Sequence, residues 1–183
     1  MKLRAILALS AAPLALAACA SVASAKPGGA HRAAPTCRNH LKLVAGGPMS
    51  MMTGEHAELL GLVNSGKSAC VVKGYPGVEL YTASGMLIPF RYVHGGQYIA
   101  GHPVAKAVTL QPGERAIVLI AKYRCDLGDG NDAVSVHLTF ADGGFVSGHL
   151  PVTGSPGLSY CDGPASDPGH LVEIGPVTKL PTS

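Results

Sequence analysis

The chain has 183 residues, 47% hydrophobic and only 14% charged, with 24 glycines, 14 prolines and no tryptophan. A helical protein carries more Glu, Lys and Leu and far less Gly and Pro, so this balance excludes a helix bundle and fits short strands joined by turns. The formal charge of +3 owes two of its cations to Lys2 and Arg4 at the very N terminus, and no basic stripe remains to bind nucleic acid or an anionic surface.

The chain opens with a basic stretch at 1–4 and an apolar run at 5–15, broken only by Ser10 and Pro13. That run is too short to span a bilayer as a helix, so residues 1–18 are expected to be a signal peptide. Leu16-Ala-Ala-Cys19 has the form of a lipobox, which predicts that Cys19 becomes the lipidated first residue and that the membrane is touched through this anchor alone. Ala23-Ser-Ala25 before Lys26 is a competing small-x-small site whose use would release a secreted soluble domain. Residues 20–36 are small and polar, with two Pro and two Gly, and read as a flexible tether. The folded domain is expected at 37–180.

Five cysteines occur, at 19, 37, 70, 125 and 161. Either cleavage route removes Cys19 from the count, and four cysteines in an exported chain imply two disulfides. Three pairings are possible. The sequential one, Cys37–Cys70 and Cys125–Cys161, is the expected one. A zinc site is disfavoured because no Cys-x-x-Cys occurs.

From Cys37 onward the pattern is that of strands. Residues 40–44 alternate. Residues 55–63 are strand-like and end at the turn Asn64-Ser-Gly66. Two short pieces follow at 70–72 and 78–82. Between them Pro76 cannot donate to a ladder, so the strand must break, with Gly74 and Gly77 accommodating the bend and Tyr75 covering it. The second piece is expected to re-enter shifted toward the other sheet. Residues 86–88 read as a strand after the turn at 83–85, and 107–110 run into Gln111-Pro-Gly113. Residues 116–121 are continuously apolar, as in a central strand. Residues 133–140 alternate, 142–144 signal a hairpin into 145–150, and 171–174 form a last strand. No helical period persists over three turns. The expected fold is all-β, a two-sheet antiparallel immunoglobulin-like sandwich with two disulfides.

The same residues carry a family resemblance. Cys37, Gly46-Gly47, the Leu-x-Leu-Val-Asn-x-Gly-x-x-x-Cys run over 60–70, Gly-Tyr-Pro-Gly-Val at 74–78, Val-Thr-Leu-x-Pro-Gly at 108–113 and the late Cys161 resemble the actinobacterial secreted and lipoprotein family called domain of unknown function DUF4232. The likeness covers about 37–177, and the Gly-Tyr-Pro-Gly-Val block is its most specific element. It implies an immunoglobulin-like sandwich at the cell envelope and no particular activity.

The residues that could carry chemistry are few. No Gly-x-Ser-x-Gly or Ser-x-x-Lys occurs. Glu55 and Glu58 lie three apart in a strand and so point to opposite faces. No enzymatic activity and no cofactor are expected. Met49, Met51 and Met52 with His56 have the thioether and imidazole chemistry of a copper(I) carrier, the alternative role. Residues 126–132 offer carboxylates but miss the calcium-loop spacing, and read as a surface turn. His94, His102, His149 and His170 fall in Gly/Pro-rich loops and are expected to be solvated, as is His137 by strand alternation. Residues 93–102 form a candidate recognition loop, with Tyr92, Tyr98 and Ile99 as contact residues. The leading expectation is a non-enzymatic binding or structural module of the envelope, whose partner is an envelope protein or glycan.

Overall fold

The computed structural model describes residues 34–47, 54–97, 100–125, 129–150 and 157–179. The leader, Cys19, the methionines of the candidate copper cluster, Tyr98, Ile99 and Asp126 lie outside them. Thirteen strands follow in chain order: β1 Leu41–Ala45, β2 Glu55–Asn64, β3 Cys70–Lys73, β4 Gly77–Tyr81, β5 Arg91–His94, β6 Ala107–Leu110, β7 Arg115–Tyr123, β8 Asp129–Asp132, β9 Ser135–Thr139, β10 Phe145–His149, β11 Ser159–Cys161, β12 Leu171–Ile174 and β13 Thr178–Lys179. The helical content of the described residues is two 3-10 turns, Arg38–His40 and Pro168–His170.

The largest sheet runs β1-β2-β7-β12-β5, with β13 also pairing on β7. Its spine is the β2–β7 ladder, from Glu55 opposite Tyr123 to Val63 opposite Arg115. Even-numbered residues of both strands turn the same way, and Leu60, Leu62, Val118 and Ile120 are fully buried there. The other face of β7 is half-covered at Ile117 and Leu119 and buried at Ala121, which is why 116–121 lacks alternation. Three smaller sheets, β10-β9-β4, β3-β6 and β11-β8, supply the opposing apolar side chains. Leu80, Leu138, Val146 and Leu110 join the residues of the large sheet in one core cluster. The domain is all-β and sandwich-like, and both sequential disulfides, Cys37–Cys70 and Cys125–Cys161, are formed.

The corner at Pro76 behaves as the sequence predicts. Before it, β3 pairs with β6; after it, β4 pairs with β9 in a different sheet. Gly74 takes a φ of +92°, a conformation that costs glycine nothing, and its carbonyl accepts the Val177 N–H. Tyr75 stacks on His94 with ring centroids 5.0 Å apart.

Other features depart from expectation. One pairing, β5 with β12, is parallel, so the sheets are antiparallel with one exception. Residues 86–88 make only a bridge, Leu87 to Tyr81, because Gly85 and Pro89 leave too short a segment for a ladder. Asp129–Asp132 is a strand, not a turn: it pairs with β11 beside the Cys125–Cys161 bridge. The folded region also reaches into the stretch read as a tether. Thr36 bridges Val71 and the Pro35 carbonyl accepts the Val71 N–H at 2.8 Å, so the fold takes hold of the chain before Cys37.

Candidate binding surface

The candidate recognition loop begins where β5 ends. Gly95, at φ +71°, donates its N–H to the Ile174 carbonyl, and Gly96 donates to the Gly101 carbonyl at 2.7 Å. A side chain at Gly95 would put Cβ 2.5 Å from that same Gly101 oxygen, so the loop can close on itself only with glycine there. Tyr75 fastens the far end by donating its hydroxyl to the Pro103 carbonyl at 2.5 Å.

Beneath the loop lies Glu173 of β12, only 1% exposed. Its Oε2 accepts the Ala100 N–H at 2.9 Å. A Cβ at Gly96 would sit 1.8 Å from the Glu173 carboxyl carbon, so the loop backbone lies directly on the carboxylate. A hollow of about 290 Å³ opens beside it, lined in part by Val93, His94, Gln97, His102 and Glu173. His94 and His102 are exposed, as expected. The tip residues Tyr98 and Ile99 lie outside the described residues.

Tyr92 is not part of this surface. It is half-buried and packs on the core cluster, and its hydroxyl accepts the Leu80 N–H at 3.1 Å. Burial is the main reason its phenol is pushed up to about 12. Strand alternation explains the correction: Tyr92 of β5 points inward and joins that strand to β4, while Val93 points out.

The second candidate, His56, lies on the core face of β2. It is buried, with Nδ1 3.3 Å from the Gly157 carbonyl oxygen. Met49, Met51 and Met52 lie outside the described residues, and among those described no group of three His, Cys, Asp or Glu gathers to hold a metal. His56 stands at a polar end of the core. It stands opposite Lys122 in the β2–β7 ladder, with Glu58 the next inward-facing residue. Lys122 is fully buried and its Nζ lies 3.6 Å from Cys125 Sγ. Glu58 Oε2 is buried with no hydrogen-bond partner, and burial pushes this carboxyl above the ordinary range.

A carboxyl whose pKa is raised by folding stabilises the native state only while protonated. That contribution is complete below the unfolded value of about 4.3 and is lost as pH rises through the higher folded value. Glu58→Gln therefore raises the melting temperature at neutral pH, and the advantage disappears near pH ~4. Calorimetry of both proteins across this range checks it; an advantage that does not change with pH contradicts the account.

Two further sequence readings change. His170, expected to be solvated, is buried. Its ring stacks on Tyr160 with centroids 4.1 Å apart, and Nε2 meets the Cys161 carbonyl at 2.8 Å. The 3-10 turn Pro168–His170, capped by the Asp167 side chain accepting the Gly169 N–H, folds it against β11. In the acidic stretch, Asp132 spends its Oδ1 on the Ser159 hydroxyl at 2.5 Å, a strand-to-strand link. Glu55 and Glu58 do diverge: Glu58 is buried and Glu55 half-exposed.

A disulfide-stapled all-β domain with a closely tied surface loop defines a class of small module. Its bridges mark an oxidising compartment and an exported protein, and no helix among the described residues is long and apolar enough to cross a membrane. The chain belongs to the family described as Domain of unknown function (DUF4232), whose model matches residues 37–177 and so takes in both disulfides. No curated protein and no solved structure matches it.

Proposed function

We propose that this protein is a non-enzymatic binding module of the cell envelope, held at the membrane by a lipidated Cys19, that presents the 93–102 loop to an envelope partner. The observation that supports the reading is the use made of Glu173. Burying a carboxylate is costly unless hydrogen bonds compensate it, and here the carboxylate lies under an exposed loop and fixes its backbone. A mere connection between β5 and β6 has no need of such a support, whereas a recognition loop gains affinity from being ordered before it binds.

Glu173→Ala removes the acceptor of the Ala100 N–H. Exchange of that amide accelerates by about tenfold or more, the equivalent of ~1.4 kcal/mol, while the amides of β2 and β7 keep their protection. Acceleration spread evenly over the domain contradicts the local role.

For the binding role itself, a photo-crosslinking residue is placed at exposed Gln97 or at exposed Lys67 in the full-length chain in cells. Capture of a discrete partner from position 97 and not from 67 is the expected result; equal capture from both, or none from 97, removes the loop as the binding element. Anchoring is tested separately. Cys19→Ala abolishes lipid labelling, although cleavage after Ala25 can then release a soluble domain. If the unsubstituted protein is already soluble and starts at Lys26, the anchor is refuted and the loop reading stands.

A further inference from the structure

The outward face of the β4-β9-β10 sheet differs in character from the loop. The register sets three rows of side chains across it: Tyr81, Ser135 and His149; Glu79, His137 and Ser147; Gly77, Thr139 and Phe145. Leu87, bridged to Tyr81, extends the first row. Hydrogen bonds already orient these groups. Tyr81 donates its hydroxyl to Glu79 Oε2 at 2.6 Å, and His137 Nδ1 lies 2.6 Å from Ser147 Oγ. The His137 ring sits 5.4 Å from that of Phe145, which is 54% exposed. Beside Phe145, on the same face, a shallow, open hollow of about 460 Å³ is lined in part by Glu79, Tyr81, Ser135, His137, Ser147 and His149.

The charge on this face limits the ligand. No lysine or arginine stands at any of the nine positions, and Glu79 is the one carboxylate. Solvent-facing strands at open sheet edges ordinarily carry cations, lysine above all, that deter pairing; here hydroxyls, imidazoles and rings take their place. A phosphate or polyanion would meet a carboxylate and no fixed cation. A peptide strand is not called for either, because the hollow lies on the face of the sheet rather than along its unpaired edge. Ligand hydroxyls would find both donors and acceptors in Ser135, Ser147, Glu79 and the two imidazoles, and apolar C–H faces would find the rings of Tyr81 and Phe145. That pairing of needs belongs to a neutral sugar. Rows about 6.8 Å apart along the strands can engage more than one ring of a short chain.

We propose that this face is a glycan-binding platform that takes a short, neutral oligosaccharide, with Tyr81 and His137 as its central contacts. It stands apart from the 93–102 loop and does not depend on that loop's role. The test uses the folded, disulfide-intact chain, ¹⁵N-labelled and titrated with maltotriose, mannotriose, galactotriose and chitotriose at millimolar concentration, beside a uronic-acid trisaccharide. The expected result is saturable shifts of β4, β9 and β10 amides with at least one neutral sugar and weaker ones with the acidic sugar. Tyr81→Ala and His137→Ala each weaken that binding by about tenfold, in line with the loss of one ring or hydrogen-bonding contact, and leave the melting temperature within a few degrees of wild type. Absence of shifts with all four neutral sugars overturns the proposal, as do shifts confined to other surfaces, preference for the acidic sugar, or affinity that survives both substitutions. Loss of the crosslink from Gln97 without loss of sugar binding would implicate the loop alone and leave the platform standing.

Discussion

Replacing Cys37 and Cys70 together by Ser lowers the unfolding free energy by roughly 3–4 kcal/mol. The bridge closes a separation of 33 residues, and the loss is the loop-closure entropy that the unfolded chain regains. Against a total of about 5–15 kcal/mol for a domain, that is a large share. The damage is also localised. The Cys37 N–H donates to the Val71 carbonyl, and among the described residues β3 has only the four-residue β6 as a strand partner; an isolated two-stranded unit is marginal in water. Without the bridge, β3 and the entry segment at Pro35 and Thr36 are expected to loosen first. Urea denaturation of the double variant, with Cys125–Cys161 intact, measures the effect. A loss below ~1 kcal/mol would mean that the unfolded chain is already restricted without the bridge.

Leu80→Ala costs about 2–5 kcal/mol, the usual range for a leucine removed from a packed core. Leu80 is fully buried. It lies in the strand that has just crossed the Pro76 corner, and its N–H is held by the Tyr92 hydroxyl. The void would open between β4 and the large sheet, at a point where Tyr92 couples the two, so collapse around it is restricted and the upper half of the range is expected. Leu87, 54% exposed, is the control: Leu87→Ala changes stability by less than ~0.5 kcal/mol. Comparable losses at both positions would show that β4 is not packed as described.

Where the sequence could be read, a local physical rule sufficed. Residues 133–140 alternate because one face meets the core and the other water, and β9 lies there. Pro76 forbids a continuous ladder, and the chain changes sheets there. Four cysteines in an exported chain left few options for pairing. What escaped was set by partners distant in the chain. Arg91-Tyr-Val-His94 has no apolar run and little length, and becomes a strand only because β12 lies parallel to it. Asp-Gly-Asn-Asp at 129–132 contains poor strand formers, yet it pairs with β11 next to the Cys125–Cys161 bridge. Leu-Val-Glu-Ile at 171–174 announces an outward-facing Glu173, but nothing local says that a loop folds back over it. Tyr92, expected at the surface, lies inward by strand alternation. The rows on the β4-β9-β10 face needed a register between strands that no single stretch of sequence contains.

The placement of β12 bears on how the protein comes into being. A strand from near the C terminus is inserted between β7 and β5 of the large sheet, both made much earlier in the chain. The β2–β7 ladder can form from residues 55–123 alone, but β7 then has one ladder edge open beside an apolar face. That edge stays unprotected until residues 171–174 arrive, and β5 has no sheet to join until the same moment. Cys161 also lies beyond β7 in sequence, so the second bridge cannot hold the ladder before that same stretch folds. Completion of the sheet thus waits on a slow, non-local pairing, which must compete with association between neighbouring unfinished chains.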